Sequence, residues 1–180
     1  SGTMSLVDGV TAPSTIKLST SVALTIEPRA LTVVADAKSK TYGDKAPALT
    51  AVTLGLVDDD KLVGVLSRTG DDNAGVYDIT QGTVTDANNS NYKINFTKGT
   101  FTITEAVLTV TAADKSKVYG SDDPALTYGV AGLKFTDTKE SVTTGALERV
   151  AGENVSAAGY AINQGTVEAN SNYKINFTKG

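Results

Sequence analysis

The chain has 180 residues, a net charge of −4 and no His, Cys or Trp. Disulfides, thiolate nucleophiles, zinc held by Cys or His, and every His-based triad are thereby excluded. The acidic balance argues against non-specific nucleic-acid binding, and no apolar run approaches the roughly 20 residues of a membrane helix.

Thr is abundant, at 26 residues, and Gly stands at 17. Thr, Val, Ile and Tyr suit pleated, half-buried surfaces, and Gly and Asn mark the turns between them. With no long stretch of helical apolar spacing, the chain is predicted to be mostly β. Leu31-Thr32-Val33-Val34-Ala35 reads as a first strand, continued after a bend by Lys38 to Tyr42 and ended at a Gly43-Asp44 turn. Leu49–Leu54 and Val63–Arg68 are further strand candidates, and Val57–Leu62 is a loop or a short helical turn. After a loop at Gly70–Gly75, Val76–Thr80 places Tyr77 and Ile79 on one face. Tyr92-Lys93-Ile94-Asn95-Phe96-Thr97 alternates cleanly, with Tyr92, Ile94 and Phe96 inward. Lys98-Gly99 is expected to turn the chain into a last strand, Phe101–Thr104.

The same order then recurs. Asn89–Gly99 and Asn170–Gly180 are identical over eleven residues at an offset of 81. Leu31-Thr32-Val33 matches Leu108-Thr109-Val110, and Lys38-Ser39-Lys40-x-Tyr42-Gly43 matches Lys115-Ser116-Lys117-x-Tyr119-Gly120, both at an offset of 77. Pro47-Ala48-Leu49-Thr50 matches Pro124-Ala125-Leu126-Thr127, and Gln81-Gly82-Thr83-Val84 matches Gln164-Gly165-Thr166-Val167. Drifting offsets mean small insertions between fixed elements, and such insertions belong in surface loops. A period near 80 is too long for a solenoid unit and has the size of a small domain. The division is therefore a leader over residues 1–28, a first copy over 29–105 and a second over 106–180.

The run of LTV, KSKTYG, PALT, AGVY-x-ITQGT and NYKINFTKGTFTIT resembles the YGX-type MBG repeat of large bacterial surface proteins. What the resemblance implies is a pair of tandem β-grasp-like domains in an elongated arrangement. It further implies an extracellular, adhesin-like setting at the bacterial cell surface, and it does not imply catalysis. In a β-grasp the first and last strands run parallel, so tension at the termini shears several hydrogen bonds together. The three-residue link Glu105-Ala106-Val107 is expected to form a stiff joint. The reading is a non-enzymatic stalk or spacer of an adhesin whose partners are the neighbouring repeats. The alternative is an adhesive module for a glycan, such as a biofilm polysaccharide, or for a host or matrix protein.

The second copy stops at the residue that precedes the last strand of the first, while the leader carries a matching piece: Leu24-Thr25-Ile26 aligns with Phe101-Thr102-Ile103. That frame has two readings: head-to-tail self-association by strand donation, through Val22, Leu24 and Ile26, or an edge that is simply left open. Candidate sites are few. Asp58, Asp59 and Asp60, with Asp71 and Asp72, are oxygen-rich loops that could take Ca²⁺, although no EF-hand spacing is present; solvated turns are the simpler reading, and no cofactor is expected. Tyr128 and Phe135 have no aromatic counterpart in the first copy, where Ala51 stands opposite Tyr128, and are the first guess for a ligand-binding surface. Twenty acidic residues make chance carboxylate pairs inevitable, so no pair is diagnostic of glycosidase chemistry. No phosphate loop is present: Gly129-Val130-Ala131-Gly132 lacks the Gly-Lys-Ser/Thr ending.

Overall fold

The apolar alternation Leu31-x-Val33-x-Ala35 buries all three side chains on one face of β1 (Arg29–Ala35). In the computed structural model, which describes residues 24–180, the regular secondary structure is almost wholly strand. The rest of the first copy comprises β2 (Lys38–Thr41), β3 (Ala51–Leu54), β4 (Ser67–Arg68), β5 (Gly75–Thr80), β6 (Tyr92–Thr97) and β7 (Gly99–Thr104). They form two small sheets, β3-β1-β6 and β2-β7-β5-β4.

One parallel pairing runs through both sheets. β1 pairs with β6 from Arg29↔Tyr92 to Val34↔Thr97, and β2 pairs with β7 from Lys38↔Phe101 to Thr41↔Thr104. Partners are 63 residues apart throughout, so the two strand pairs are one long parallel ribbon that changes sheet midway. The change falls at Asp36-Ala37 on one side and at Lys98 on the other. Here Gly99 packs against the β1 backbone: a Cβ on it would stand 2.7 Å from the Ala35 carbonyl oxygen. Lys98-Gly99 is therefore a kink within a continuing ribbon, not the chain reversal expected from the dipeptide, and Gly99 is already the first residue of β7. The expected strand at Val63–Arg68 shortens to β4, because Gly64 at φ +116 sits against the Thr83 backbone and breaks the extended run.

The second copy opens with β8 (Ala106–Ala112), so Glu105 alone separates it from β7 and the link is shorter than the expected three residues. It continues with β9 (Tyr128–Ala131), the single-turn helix α1 (Lys139–Val142), β10 (Thr143–Thr144), β11 (Glu148–Arg149), β12 (Ile162–Asn163), β13 (Glu168–Ala169) and β14 (Tyr173–Thr178). Sheet β14-β8-β9 repeats β6-β1-β3, with parallel partners now 67 residues apart. Four residues inserted before Gly145 account for the difference and house α1, which Thr138 caps through a reciprocal pair of bonds with Ser141. β10 and β13 form a separate two-stranded pair.

The second sheet is where the copies part. The segment Lys115–Val118 matches β2 yet forms no strand, and the six residues of β5 shrink to the two of β12. In the first copy both elements pair with β7, which is central to its sheet. In the second, only Gly180 reaches that position, exchanging backbone bonds with Ile162. The shared Lys-Ser-Lys run is thus strand where a central partner pairs with it and coil where none does.

The core does not respect the sequence repeat. Tyr42, Ile79, Phe101 and Ile103 of the first copy and Ala106, Leu108, Val110, Val167 and Tyr173 of the second form one buried cluster. The first sheet of copy one has its own smaller cluster around Leu31, Val33 and Tyr92. Packing therefore unites the second sheet of one copy with the first sheet of the next. No helix among the described residues is long and apolar enough to cross a membrane.

Candidate functional site

The joint between the copies is built from the Lys-Ser-Lys-x-Tyr-Gly motif. β2 delivers Tyr42 to the end of the ribbon, where its N–H donates to Thr104 O at 2.8 Å and extends the ladder by one residue. The chain then turns at Gly43, with φ +85, and Asp44 N–H closes the turn on Thr41 O at 3.0 Å. The Tyr42 ring is driven into the second copy. It meets Phe135 and Tyr173 edge-on, each with centroids 5.3 Å away. Its hydroxyl donates to Asp137 Oδ2 at 3.1 Å, and the Tyr173 hydroxyl donates to the same oxygen at 2.6 Å. Lys134 N–H in turn donates to the Tyr173 hydroxyl at 2.7 Å. The Lys134 stem crosses Gly43, and its ammonium reaches Asp44 at 3.3 Å.

A second latch lies opposite. Buried Asn172 donates from Nδ2 to Asn73 Oδ1 at 2.8 Å and accepts from Ala74 N–H at 2.8 Å. Burial, then the Asp137 carboxylate, pushes both phenols up, that of Tyr173 to about 12. At neutral pH the joint therefore holds two protonated phenols on one carboxylate.

Two other places carry the halves of this same joint, each without its counterpart among the described residues. Tyr119 matches Tyr42 but is 68 % exposed where Tyr42 is 7 % exposed. Gly120 keeps the turn at φ +83, yet nothing stands where Lys134 covers Gly43. In the other place, Tyr92 donates to Asp60 Oδ2 at 2.5 Å and accepts from Val57 N–H at 2.9 Å, as Tyr173 does with Asp137 and Lys134. Asp58 takes the place of Phe135, and the two share the same left-handed backbone, φ 47 and 50.

Beside Tyr119 runs a slot of about 280 Å³, floored by Ile162 and Leu126 and walled by Lys115–Lys117 on one side and Gly159-Tyr160 on the other. It lies where β7 lies in the first copy. Its rim is an ion network: Lys117 and Arg149 each bond both Asp123 and Glu153. Arg149, then Lys117, holds the Asp123 carboxyl well below its ordinary range, at about 2. The first copy has the simpler set Lys40–Asp72–Arg68, at 2.9 and 2.8 Å.

The residues singled out from sequence are placed as follows. Asp60 serves Tyr92, Asp71 accepts from Tyr77 at 2.7 Å, and Asp72 pairs with Lys40 and Arg68. No group of three or more acidic side chains able to hold a metal ion occurs among the described residues. Tyr128 and Phe135 have different settings, Phe135 being 66 % exposed and Tyr128 only partly buried. Phe135 is part of the joint. Tyr128 packs into the core of copy two, under the Lys139 ammonium 3.8 Å from its ring centroid, with its hydroxyl 3.0 Å from Thr143 Oγ1. Leu24 and Ile26 are 89 % and 86 % exposed and join no strand pair among the described residues, while Val22 lies outside them. Sequence reasoning missed Asp137 and Asn172. The recurrence of Asp60 as Asp137, and of Asn91 as Asn172, at the offsets of their neighbours was the available signal.

A family model for the MBG domain of YGX type matches the chain twice, over residues 31–102 and 108–180. The interval between the matches contains Glu105, the one residue between β7 and β8. No curated protein and no solved structure matches the chain.

Proposed function

The chain belongs to the YGX-type MBG domain family, and from that premise we propose that it is a non-enzymatic, load-bearing spacer of an extracellular bacterial adhesin. The observation that carries this reading is the parallel ribbon β1-β2 against β6-β7. The chain enters the first copy at the start of β1 and leaves at the end of β7. Tension from those two points pulls parallel partners in opposite directions along their own axes. Ten register pairs are then loaded together in shear instead of being opened one by one. The joint supports the same role, since one residue of linker and a shared core leave little freedom for hinging.

Single-molecule force spectroscopy tests it. The chain has no Cys, so introduced pairs are unique handles. Pulling on the ends of the full chain should need far more force than pulling a V34C/T97C variant, whose handles sit on register partners and unzip the ribbon. Equal rupture forces in the two geometries would overturn the reading.

The rival, an adhesive module for a glycan or an extracellular protein, has one observation in its favour. The first copy keeps an open groove between Leu49, Ala51, Leu56, Leu62, Leu66 and Val84. Glycan-array binding by the intact chain, lost in a Leu62→Asp variant that still folds, would favour it.

A further inference from the structure

We propose that in the 180-residue chain the slot of the second copy receives Leu24–Glu27 of a second molecule, joining chains head to tail. The proposal goes beyond the load-bearing reading and does not depend on it. Three observations meet. The first is the slot itself, bounded by two segments that are strands in copy one; in copy two Lys115–Val118 is coil, and the other wall is a turn at Ala157-Ala158 followed by coil that becomes strand only at Ile162. The second is the leader. Leu24-Thr25-Ile26-Glu27 leads into β1 as Phe101-Thr102-Ile103-Thr104 leads into β8, and its two apolar side chains are almost fully exposed. In copy one, Phe101 and Ile103 are 1 % and 2 % exposed, so this strand face is one the fold buries when its slot is filled. The third is the pair of unmatched joint halves, exposed Tyr119 at one end and the Asp58, Asp60 and Tyr92 cluster at the other.

The register is fixed by analogy with the first copy. Leu24 would lie opposite Tyr160 and beside Lys115, as Phe101 lies opposite Tyr77 and beside Lys38. Ile26 would lie beside Lys117, as Ile103 lies beside Lys40, and it reaches Ala158, the match of Gly75, only when the turn that Gly159 N–H closes on Ser156 O opens into strand. Gly180 already holds the place of Gly99, so the donated strand continues the ladder from there. Donation also carries the first copy of the second molecule up to Tyr119, in the relation that copy two already has to Tyr42. Because donor and acceptor are different surfaces, the contact is heterologous and each added molecule presents a fresh slot.

The test is the mass of the full chain by light scattering over a concentration series, with backbone hydrogen exchange on the same samples. The expected result is mass that rises with concentration while the amides of Lys115–Val118 and Ala158–Ala161 become protected. An L24D/I26D variant should stay monomeric with an unchanged melting curve, since neither side chain is buried in the single molecule. A variant with Thr100–Glu105 of its own first copy appended after Gly180 should also be monomeric, its slot filled in cis. A wild-type chain that stays monomeric at its solubility limit would overturn the proposal. So would association that survives in either variant, or association without protection of the two slot walls.

Discussion

Tyr42 and Tyr173 come from different copies, stand edge-on with ring centroids 5.3 Å apart, and donate their hydroxyls to the same oxygen of Asp137. The Tyr-Gly pair of the first copy is thus a plug inserted into the second. Its contribution can be read against Tyr119, which has the same motif around it and a mostly exposed ring. Tyr42→Ala removes a buried aromatic from a shared core and should cost about 3 kcal/mol in denaturant unfolding of the whole chain. Tyr119→Ala removes a mostly exposed ring and should stay within about 0.5 kcal/mol. Equal costs would mean that the motif stabilises its own turn and not the joint.

The phenols make the joint sensitive to alkali. The folded Tyr173 hydroxyl titrates at about 12 against an ordinary 10.0, because burial and then the Asp137 carboxylate disfavour the phenolate. A raised value means that its contribution is complete below about pH 10 and is lost as pH climbs toward 12. The melting temperature of the wild type should therefore fall more steeply across that window than that of Tyr173→Phe, which has no proton to lose. Parallel pH profiles for the two proteins would contradict the assignment.

Much of this architecture is legible in the sequence, and the failures have a common cause. β6 is readable to the residue, because Tyr92, Ile94 and Phe96 alternate with polar neighbours and nothing local competes. The repeat and its offsets place the insertion that becomes α1. Lys115–Val118 is not readable, since its match in copy one is a strand only by virtue of pairing with β7. Gly99 misleads for a similar reason: glycine marks a turn or a close approach, and only the Ala35 carbonyl facing it decides which. Tyr42 and Tyr119 make the same point for function. Their local sequences agree, and they differ in whether another repeat packs against the ring.

The ion network at the slot should give the second copy a distinct response to acid. Asp123, held at about 2 by Arg149 and then Lys117, has Ala46 as its counterpart in copy one. A lowered value means that its contribution is complete above its ordinary 3.8 and is lost as pH falls toward 2. Carboxyl chemical shifts tracked by NMR should show Asp123 titrating last among the residues around the slot. Arg149→Gln should return it toward the ordinary range, an outcome that a surface carboxylate with no fixed partner would not show.

Tyr128 tests whether an unmatched aromatic is a ligand contact or a packing element. In copy two its ring stands opposite the position of Ala51, and buried Val142 from the inserted helix packs in the same cluster. In copy one, with Ala51 and without the insertion, the corresponding groove is open. The second copy has therefore filled from within a groove that the first leaves free. Removing the ring should cost about 2 kcal/mol, at the lower end of large-to-small changes because the site is only partly buried. It should also unseat Lys139, whose ammonium sits over the ring and donates to the Tyr128 carbonyl at 2.9 Å. Thermal unfolding of Tyr128→Ala and Lys139→Ala, with the double variant, checks this. Because the two side chains touch, the double variant should lose less stability than the sum of the singles. Strict additivity would mean that Tyr128 does not depend on the inserted helix, and would leave its ring free to meet a ligand.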